Sequence, residues 1–348
     1  MQDTNEQQTN RCDPAENYCA APERYSNPDF YKRCGRSGIK LPAMSLGLWH
    51  NFGNITPFKV QQSVLRRAFD SGITHFDLAD NYGPPYGEAE RNFGRHMDRD
   101  WQPYRDELII STKAGYDMWA GPYGNFGSRK HLIAGIDQSL RRMHLDYVDI
   151  FYHHRPDPET PLEETMAALK QIVDSGKALY VGISNYPAEK AEEASHIMKS
   201  MGVPLLISQS RYNMFARGIE EKLMDVLTNE GMGLIAFQPL SGGILTDKYI
   251  SGIPADSRAG RDPRYLKPEM ITDEKIRKVV RLNALAHERG QTLAQLALQW
   301  VARPEAVTSV LVGASSPAQI DENLKALDFA PISEEELRII DAVLADAD

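Results

Sequence analysis

Four side chains that can take part in proton transfer stand at or just after the ends of three successive strand-like segments. Asp77 and Tyr82 lie in the stretch GITHFDLADNYG, Lys113 ends the stretch LIISTK, and His154 ends VDIFYHH. In parallel α/β proteins the chemistry is carried at the carboxyl ends of the strands. We therefore expect Asp77, Tyr82, Lys113 and His154 to surround one pocket. The alternative for the first stretch alone is a strand with an exposed turn.

The four groups suit the protonation of an oxyanion. A tyrosine with an ordinary pKa of about 10 is a poor acid at neutral pH unless a cation stabilises its phenolate, and Lys113 can be that cation. A lysine in an apolar barrel tends to lose its proton, and the carboxylate of Asp77 opposes that loss. His154 can hydrogen-bond a substrate oxygen. Carbonyl reduction by hydride transfer requires an acid of this kind.

The usual glycine-rich loops for nucleotides are missing from the sequence. No G-x-G-x-x-G turn follows an early strand. The pair Gly176-Lys177 is followed by Ala178 and lacks the upstream glycine of a phosphate-binding loop, and Tyr186 stands where a hydrolase elbow needs its second glycine. A nucleotide must then be bound by other means.

Metal chemistry is not expected from this pattern. His153 and His154 are adjacent on a strand, so their side chains point to opposite sides and form a poor chelate. Carboxylates and histidines at ligand spacing on several strands are also missing. We expect no metal site.

The segments that position these groups alternate between strand and helix patterns. Eight such units within roughly 280 residues favour a (β/α)8 TIM barrel, an α/β fold, over a doubly wound sheet. The candidate strands are Met44–Leu48, Ile73–Leu78, Leu108–Lys113, Tyr147–His153, Ala178–Ser184, Leu205–Gln209, Gly233–Phe237 and Thr308–Val312.

Short sequence motifs also predict an N-terminal hairpin, two helix starts and one long loop. Residues 31–41 predict an N-terminal β-hairpin whose turn contains Gly35 and Gly38. Ser128 is a candidate cap for a helix with apolar residues at 132, 136 and 140, and the stretch TPLE at 160–163 predicts a capping box with proline at the first helical position. A long loop, 241–268, follows the seventh strand. We expect residues 1–29 to be a mobile tail and residues 30–348 to form one barrel domain.

Composition excludes several classes of protein. The chain has 348 residues, 42% hydrophobic and 25% charged, which is ordinary for a globular enzyme. A net charge of −9 argues against nucleic acid and anionic membranes as partners. No apolar run reaches the length of a membrane span, and the first ten residues have no signal pattern. We expect a cytoplasmic protein; the oligomeric state, including a homo-oligomer, stays open.

The chain has three cysteines, Cys12, Cys19 and Cys34, all near its N-terminus. A disulfide between Cys12 and Cys19 is one alternative, but three cysteines in a long and apparently cytosolic chain favour free thiols. Nothing near Cys34 resembles a base or an activating cation pair, so a role as nucleophile is not expected.

The ordered stretches GITHFDLADNYG, ISTKAGYDMW, YVDIFYHHRPD, YVGISNY and SVLVGASSPAQIDEN resemble those of the aldo-keto reductases over residues 30–345. The resemblance implies a tetrad of Asp77, Tyr82, Lys113 and His154 with Tyr82 as general acid. Within the family the stretches LGLWHNFG and GPPYG resemble bacterial L-glyceraldehyde 3-phosphate reductases, followed by the β-subunits of voltage-gated potassium channels. That second group implies an alternative function, a cofactor-bound regulatory subunit whose catalysis is slow.

The same resemblance implies a bound NADP(H). Ser184, Asn185 and Gln209 match residues that hold the nicotinamide carboxamide, and Phe237 matches the ring stacked on the nicotinamide. Other matched positions line the rest of the cofactor, and for each the alternative is a helix cap or a polar loop residue. They are Trp49, Pro239, Leu240, Ser241, Gly243 and Lys248 along the nicotinamide and pyrophosphate, and Gly313, Ser315, Gln319, Glu322 and Asn323 at the adenosine end.

The sequence departs from many members of this family at a position that affects the choice between NADPH and NADH. Many relatives carry a basic residue where this chain has Ala314 or Ser316, and that charge meets the 2′-phosphate of NADPH. Arg258 in the long loop can replace it, because a guanidinium binds phosphate bidentately. We expect NADPH rather than NADH.

The expected substrate is a small aldehyde, with L-glyceraldehyde 3-phosphate and methylglyoxal as the first candidates. Aromatic residues near the mouth, Trp49, Tyr86, Tyr116 and Trp119, suit a narrow pocket. Arg155 is a candidate for the phosphate, with Arg129 and Lys130 as further cations. The alternative is that Arg155 pairs with Asp157 or another acid and that Arg129 and Lys130 form a solvated helix start.

Overall fold

A computed structural model describes residues 18–255, 257–261 and 266–346. Eight parallel strands close into a barrel in which the last strand pairs with the first. This confirms the predicted TIM barrel, with small shifts at the strand ends. After two hairpin strands, β1 Tyr31–Arg33 and β2 Lys40–Pro42, the barrel strands are β3 Met44–Gly47, β4 His75–Asp77, β5 Ile109–Ala114, β6 Val148–His153, β7 Ala178–Ser184, β8 Ile207–Arg211, β9 Gly233–Phe237 and β10 Val307–Val312.

Every barrel strand is followed by at least one helix, and the predicted long loop after β9 contains a short helix before two longer ones. The described helices are α1 Phe58–Asp70, α2 Glu88–His96, α3 Arg129–Met143, α4 Leu162–Asp174, α5 Ala188–Ser200, α6 Leu223–Glu230, α7 Arg258–Arg261, α8 Asp273–Glu288, α9 Leu293–Ala302, α10 Pro317–Leu324 and α11 Glu334–Ala345. None of them is both long and apolar enough to span a bilayer.

The predicted hairpin is present, with β1 and β2 antiparallel, and it packs against the barrel interior. Cys34 and Leu41 are fully buried in one cluster with Ile150 and Tyr152 of β6. Gly35 has φ of 54°, and a Cβ there would lie 2.1 Å from the carbonyl oxygen of Gly231. Only glycine fits so close an approach.

Strand alternation decides which side chains face the interior. On β4, Phe76 points outward and packs on Phe93 and Trp101, each with ring centroids 5.9 Å away. His75 and Asp77 therefore point inward, and both are fully buried. The barrel thus brings a carboxylate and an imidazole from one strand into its core.

The two predicted helix starts have different outcomes. Ser128 caps α3 and accepts a hydrogen bond from the amide of His131, as expected. The predicted capping box at 160–163 is wrong, because Pro161 is the N-cap of α4 and no side chain caps it. The amide of Thr160 instead donates to Asp157 Oδ1 at 3.1 Å, so an aspartate turn precedes the helix.

Part of the predicted tail lies within the described residues and packs against the barrel. Tyr18 donates to Asp70 Oδ1 at 2.6 Å, and Arg24 pairs with Glu107 at 2.6 Å. Residues 1–17, including Cys12, lie outside the described part.

The expectation of free thiols is wrong for Cys19, which is disulfide-bonded. Cys34 is a free, buried thiol. Pairing depends on the distance between thiols, which the number of cysteines does not reveal.

Candidate active site

The four residues of the predicted tetrad lie together at the carboxyl ends of β4, β5 and β6. Lys113 Nζ donates to Asp77 Oδ2 at 2.6 Å and to the carbonyl oxygen of Leu78 at 2.6 Å. The same nitrogen lies 3.3 Å from the hydroxyl of Tyr82. The ring of His154 packs edge-on against Tyr82, with centroids 6.0 Å apart. A phenol, a cation and an imidazole therefore meet at one point of the rim.

Burial controls the protonation of this group. It raises the pKa of Tyr82 well above its ordinary value, and the negative charge of Asp77 adds to this effect. Burial lowers the pKa of Lys113, whereas Asp77 opposes the change through its charge and its hydrogen bond. The phenol consequently keeps its proton at neutral pH, and the ion pair favours the charged lysine.

His154 is held as a neutral ring. Its pKa lies well below the ordinary value because of burial, with Lys113, His153 and Arg155 adding positive charge nearby. Its Nδ1 atom is buried and has no hydrogen-bond partner among the described residues. The carbonyl oxygen of His154 accepts from Asn185 at 3.1 Å, which fixes the strand end. A neutral imidazole can donate one hydrogen bond to a substrate oxygen.

The sequence did not identify two further partners of the tetrad carboxylate. Ser111 donates to Asp77 Oδ1 at 2.7 Å, and Gln209 Nε2 donates to the same oxygen at 3.1 Å. A signal for Ser111 was available, since it stands two residues before Lys113 and so shares its inward face. Gln209 was predicted only for its place near the cofactor.

The residues predicted to hold the nicotinamide lie beside the tetrad. Ser184 and Gln209 are buried at the ends of neighbouring strands β7 and β8. Asn185 has φ of 60°, an uncommon conformation for a residue other than glycine. Its side-chain nitrogen Nδ2 donates to Ser184 Oγ at 3.1 Å. Strained residues of this kind are concentrated at binding sites. The half-buried ring of Phe237 ends the next strand, β9.

The backbone after β9 takes an unusual course. Gln238, Ser241, Gly242 and Gly243 all have positive φ, at 53°, 50°, 74° and 106°. A Cβ on either glycine would meet no atom closer than 3.7 Å, an ordinary van der Waals distance, so the positive φ and not crowding favours glycine at both positions. In the same segment, Pro239 is buried, Leu240 and Ser241 are partly buried, and Lys248 is exposed. Arg258, partly buried, begins α7 farther along the loop.

The predicted adenosine end lies at the start of α10. Ser315 donates from both its amide and its hydroxyl to Gln319 Oε1, at 2.8 and 3.1 Å. The helix cap is Ser316, not Ser315, so the alternative interpretation of Ser315 as a cap does not apply. Ala314 is buried, and neither it nor Ser316 offers a cation. Of the other predicted residues, Gly313 and Glu322 are exposed and Asn323 is partly buried.

The predicted substrate residues differ in position. Trp49 lies 6.4 Å from Tyr82 and Tyr116 lies 4.6 Å from His154, measured between ring centroids. Trp119 stacks on His131 of α3 at 5.0 Å, and the side chain of Tyr86 is 54% exposed. Trp49 and Tyr116 therefore flank the tetrad directly.

Arg155 is fixed close to the tetrad without an acidic partner. Its guanidinium donates to the carbonyl oxygen of Gly115 at 2.9 Å and to Asn125 Oδ1 at 2.7 Å. It also lies between the rings of Tyr116 and Phe126, at 4.2 and 4.3 Å from their centroids. Within the described residues it makes no ion pair, so the predicted alternative of pairing with Asp157 is not observed.

Arg129 and Lys130 do not join this group. Both are exposed at the start of α3, where Arg129 donates to Gln171 of α4 at 3.1 Å. They line a groove between the two helices together with Asp137 and Glu164. This position agrees with the alternative of a solvated helix start.

Comparison with known proteins gives consistent matches. The model of the Aldo/keto reductase family matches residues 43–345. L-glyceraldehyde 3-phosphate reductase of Escherichia coli O157:H7 is 54% identical over 335 residues, 95% of this chain and 96% of the relative. That of Escherichia coli strain K12 is 53% identical over the same length. A probable voltage-gated potassium channel subunit beta of Arabidopsis thaliana is 40% identical over 309 residues, 87% of this chain and 92% of the relative.

Proposed function

Since the chain belongs to the aldo/keto reductase family, we propose that it is an oxidoreductase that reduces small aldehydes to alcohols with NADPH, with Tyr82 as the general acid. The observation that carries the proposal is the position of Lys113 Nζ, between Asp77 Oδ2 at 2.6 Å and the Tyr82 hydroxyl at 3.3 Å. That arrangement supplies a protonated phenol together with the cation that stabilises its conjugate base.

The residues present fit a nicotinamide cofactor. A carboxamide needs donors and acceptors, and Ser184, Asn185 and Gln209 supply both beside the tetrad. Gln209 Nε2 donates to Asp77 Oδ1, and the side-chain oxygen Oε1 of Gln209 makes no hydrogen bond within the described residues. Gly242 and Gly243, both with positive φ and no side chain, suit the close approach of a pyrophosphate to the backbone. When bound, the cofactor supplies the hydride.

The chain's own residues control the proton. Tyr82 holds it until negative charge develops on the carbonyl oxygen, and then gives it to that oxygen. Lys113 stabilises the phenolate left behind, and Asp77 keeps the lysine charged. His154, neutral, donates a hydrogen bond that orients the carbonyl oxygen. Trp49 and Tyr116 exclude water from the reacting atoms.

We propose L-glyceraldehyde 3-phosphate as a substrate, with methylglyoxal also reduced. The relatives of that name support it, and so does Arg155, a fixed guanidinium next to His154 that has no acid to neutralise it within the described residues. A guanidinium already oriented by neutral partners can bind a phosphate without losing an ion pair.

A second candidate function is a cofactor-bound regulatory subunit, which the likeness to a probable potassium channel subunit beta supports. Turnover separates the two functions. Steady oxidation of NADPH with a panel of short aldehydes supports the reductase. A single slow turnover, after which the rate is limited by release of the oxidised cofactor, supports the regulatory subunit.

A further inference from the structure

A row of hydrogen bonds crosses the barrel interior and ends on the tetrad carboxylate. Ser309 Oγ lies 2.7 Å from Ser45 Oγ, which lies 2.9 Å from His75 Nδ1. On the other side of the ring, His75 Nε2 lies 2.9 Å from Ser111 Oγ. Ser111 then donates to Asp77 Oδ1 at 2.7 Å. The row joins four adjacent strands, β10, β3, β4 and β5.

The chemistry of the end group sets the direction of every bond in this row. Ionised Asp77 can only accept, so Ser111 uses its proton on the carboxylate and must accept from His75 Nε2–H. Neutral His75 then has a bare Nδ1, which accepts from Ser45, and Ser45 in turn accepts from Ser309. All the donors therefore point toward Asp77, and His75 is the Nε2–H tautomer.

The row is unusual for its location. Barrel interiors are filled mainly by bulky branched residues, yet Ser45, His75 and Ser111 are fully buried and Ser309 is 1% exposed. Burial lowers the pKa of His75 to about 4, an effect that Lys113 strengthens and Asp77 opposes. The ring is thus neutral and can donate and accept at once. A buried polar row is favourable only when its members satisfy one another, as they do here.

We propose that His75 and Ser111 are positioning residues for the reaction. They hold one oxygen of Asp77, so that the other oxygen faces Lys113. Because Ser309 ends the row inside the core, the row orients the carboxylate and does not carry protons from solvent. This inference rests on the proposed reductase function, since it assigns these residues to the same tetrad.

Kinetics of Ser111 variants test the proposal. Ser111→Ala should lower kcat by about 10- to 100-fold, the loss expected for one hydrogen bond to an ionised group, with KM for the aldehyde changed less than about twofold. Ser111→Thr keeps the hydroxyl and should recover most of the rate. The matched control is Ser195→Ala. Buried Ser195 lies on helix α5, away from the tetrad, and donates to Glu230 of α6 at 2.6 Å. Equal kcat in the two alanine variants would overturn the proposal.

The state of His75 gives a readout that does not depend on turnover. Nitrogen NMR of the ring, assigned by loss of the signal in His75→Gln, should show the neutral Nε2–H tautomer at pH 7. A cationic ring or the Nδ1–H tautomer would contradict the direction of the row. If instead the wild type reduces no aldehyde while His75 has the expected tautomer, the reductase function fails and the hydrogen-bond order stands.

Discussion

The Nζ atom of Lys113 lies 3.3 Å from the hydroxyl of Tyr82, and the same atom donates a hydrogen bond to Asp77 Oδ2 at 2.6 Å. Tyr82→Phe keeps the ring and removes the transferable proton. We expect kcat to fall by roughly 100-fold or more while NADPH binding stays nearly intact, as measured by steady-state kinetics and fluorescence titration. Tyr31→Phe, which removes a hydroxyl bonded to the Gly72 carbonyl, is the control. An unchanged kcat in Tyr82→Phe would remove this residue from the mechanism.

Lys113→Met should be comparably damaging, because the phenolate would lose its cation and Asp77 would be left as an unpaired buried charge. We expect a loss of kcat of roughly 100-fold and a lower urea midpoint. Lys32→Met is a matched control, since that lysine is also largely desolvated but donates to the carbonyl of Ala302. Similar kcat values in both variants would argue against the cationic role of Lys113.

Cofactor choice is tested at Arg258. If its guanidinium contacts the 2′-phosphate, Arg258→Ala should weaken NADPH binding by about 1.5–3 kcal/mol and leave NADH binding nearly unchanged. Calorimetric titration with both cofactors measures this, and NADH serves as the internal control. Equal losses would mean that Arg258 only positions the loop. A wild type that prefers NADH would contradict the proposed NADPH specificity itself.

The phosphate of the substrate is tested at Arg155. We expect kcat/KM to be at least ~10-fold higher for glyceraldehyde 3-phosphate than for glyceraldehyde, about 1.4 kcal/mol of added transition-state binding. Arg155→Ala should shrink that ratio, whereas Arg129→Ala, at an exposed helix start, should leave it unchanged. Equal values for the two aldehydes in the wild type would end the phosphate proposal and leave a general reductase of short aldehydes.

Stability should depend on pH through buried histidines such as His96. Burial lowers its folded pKa to about 3 from an ordinary value of 6.5. Below pH 6.5 the unfolded chain binds the proton more strongly, so stability should fall as pH falls from 6.5 toward 3. Between pH 7 and pH 5 we expect His96 to contribute a loss of about 1–2 kcal/mol. Urea unfolding of His96→Gln should show a shallower pH slope than the wild type, and exposed His287→Gln should not.

Much of the architecture could be read from local pattern. Alternating strand and helix segments predicted the barrel, and the glycines after Tyr31 predicted the hairpin, because backbone preference and burial period act over a few residues. The proximity of the tetrad residues could also be predicted from the sequence. Asp77, Lys113 and His154 end adjacent strands, so any parallel barrel brings them to one rim.

Other features depended on neighbours far apart in the chain. The sequence could not show that Ser309 reaches Asp77 through Ser45, His75 and Ser111, because such a row requires the register of four strands around a closed barrel. The sequence also could not show whether the guanidinium of Arg155 would form an ion pair with an acid or a hydrogen bond with the side chain of Asn125.

The sequence by itself determined which chemical groups stand at the strand ends, since strand period and turn position are local properties. Only the tertiary structure decided how those groups are charged and held. The phenol of Tyr82, the ammonium of Lys113 and the imidazole of His154 take their protonation from burial and from nearby charges. The carboxylate of Asp77 is held by Ser111 and Lys113 of β5 and by Gln209 of β8, partners that only the closed barrel brings together.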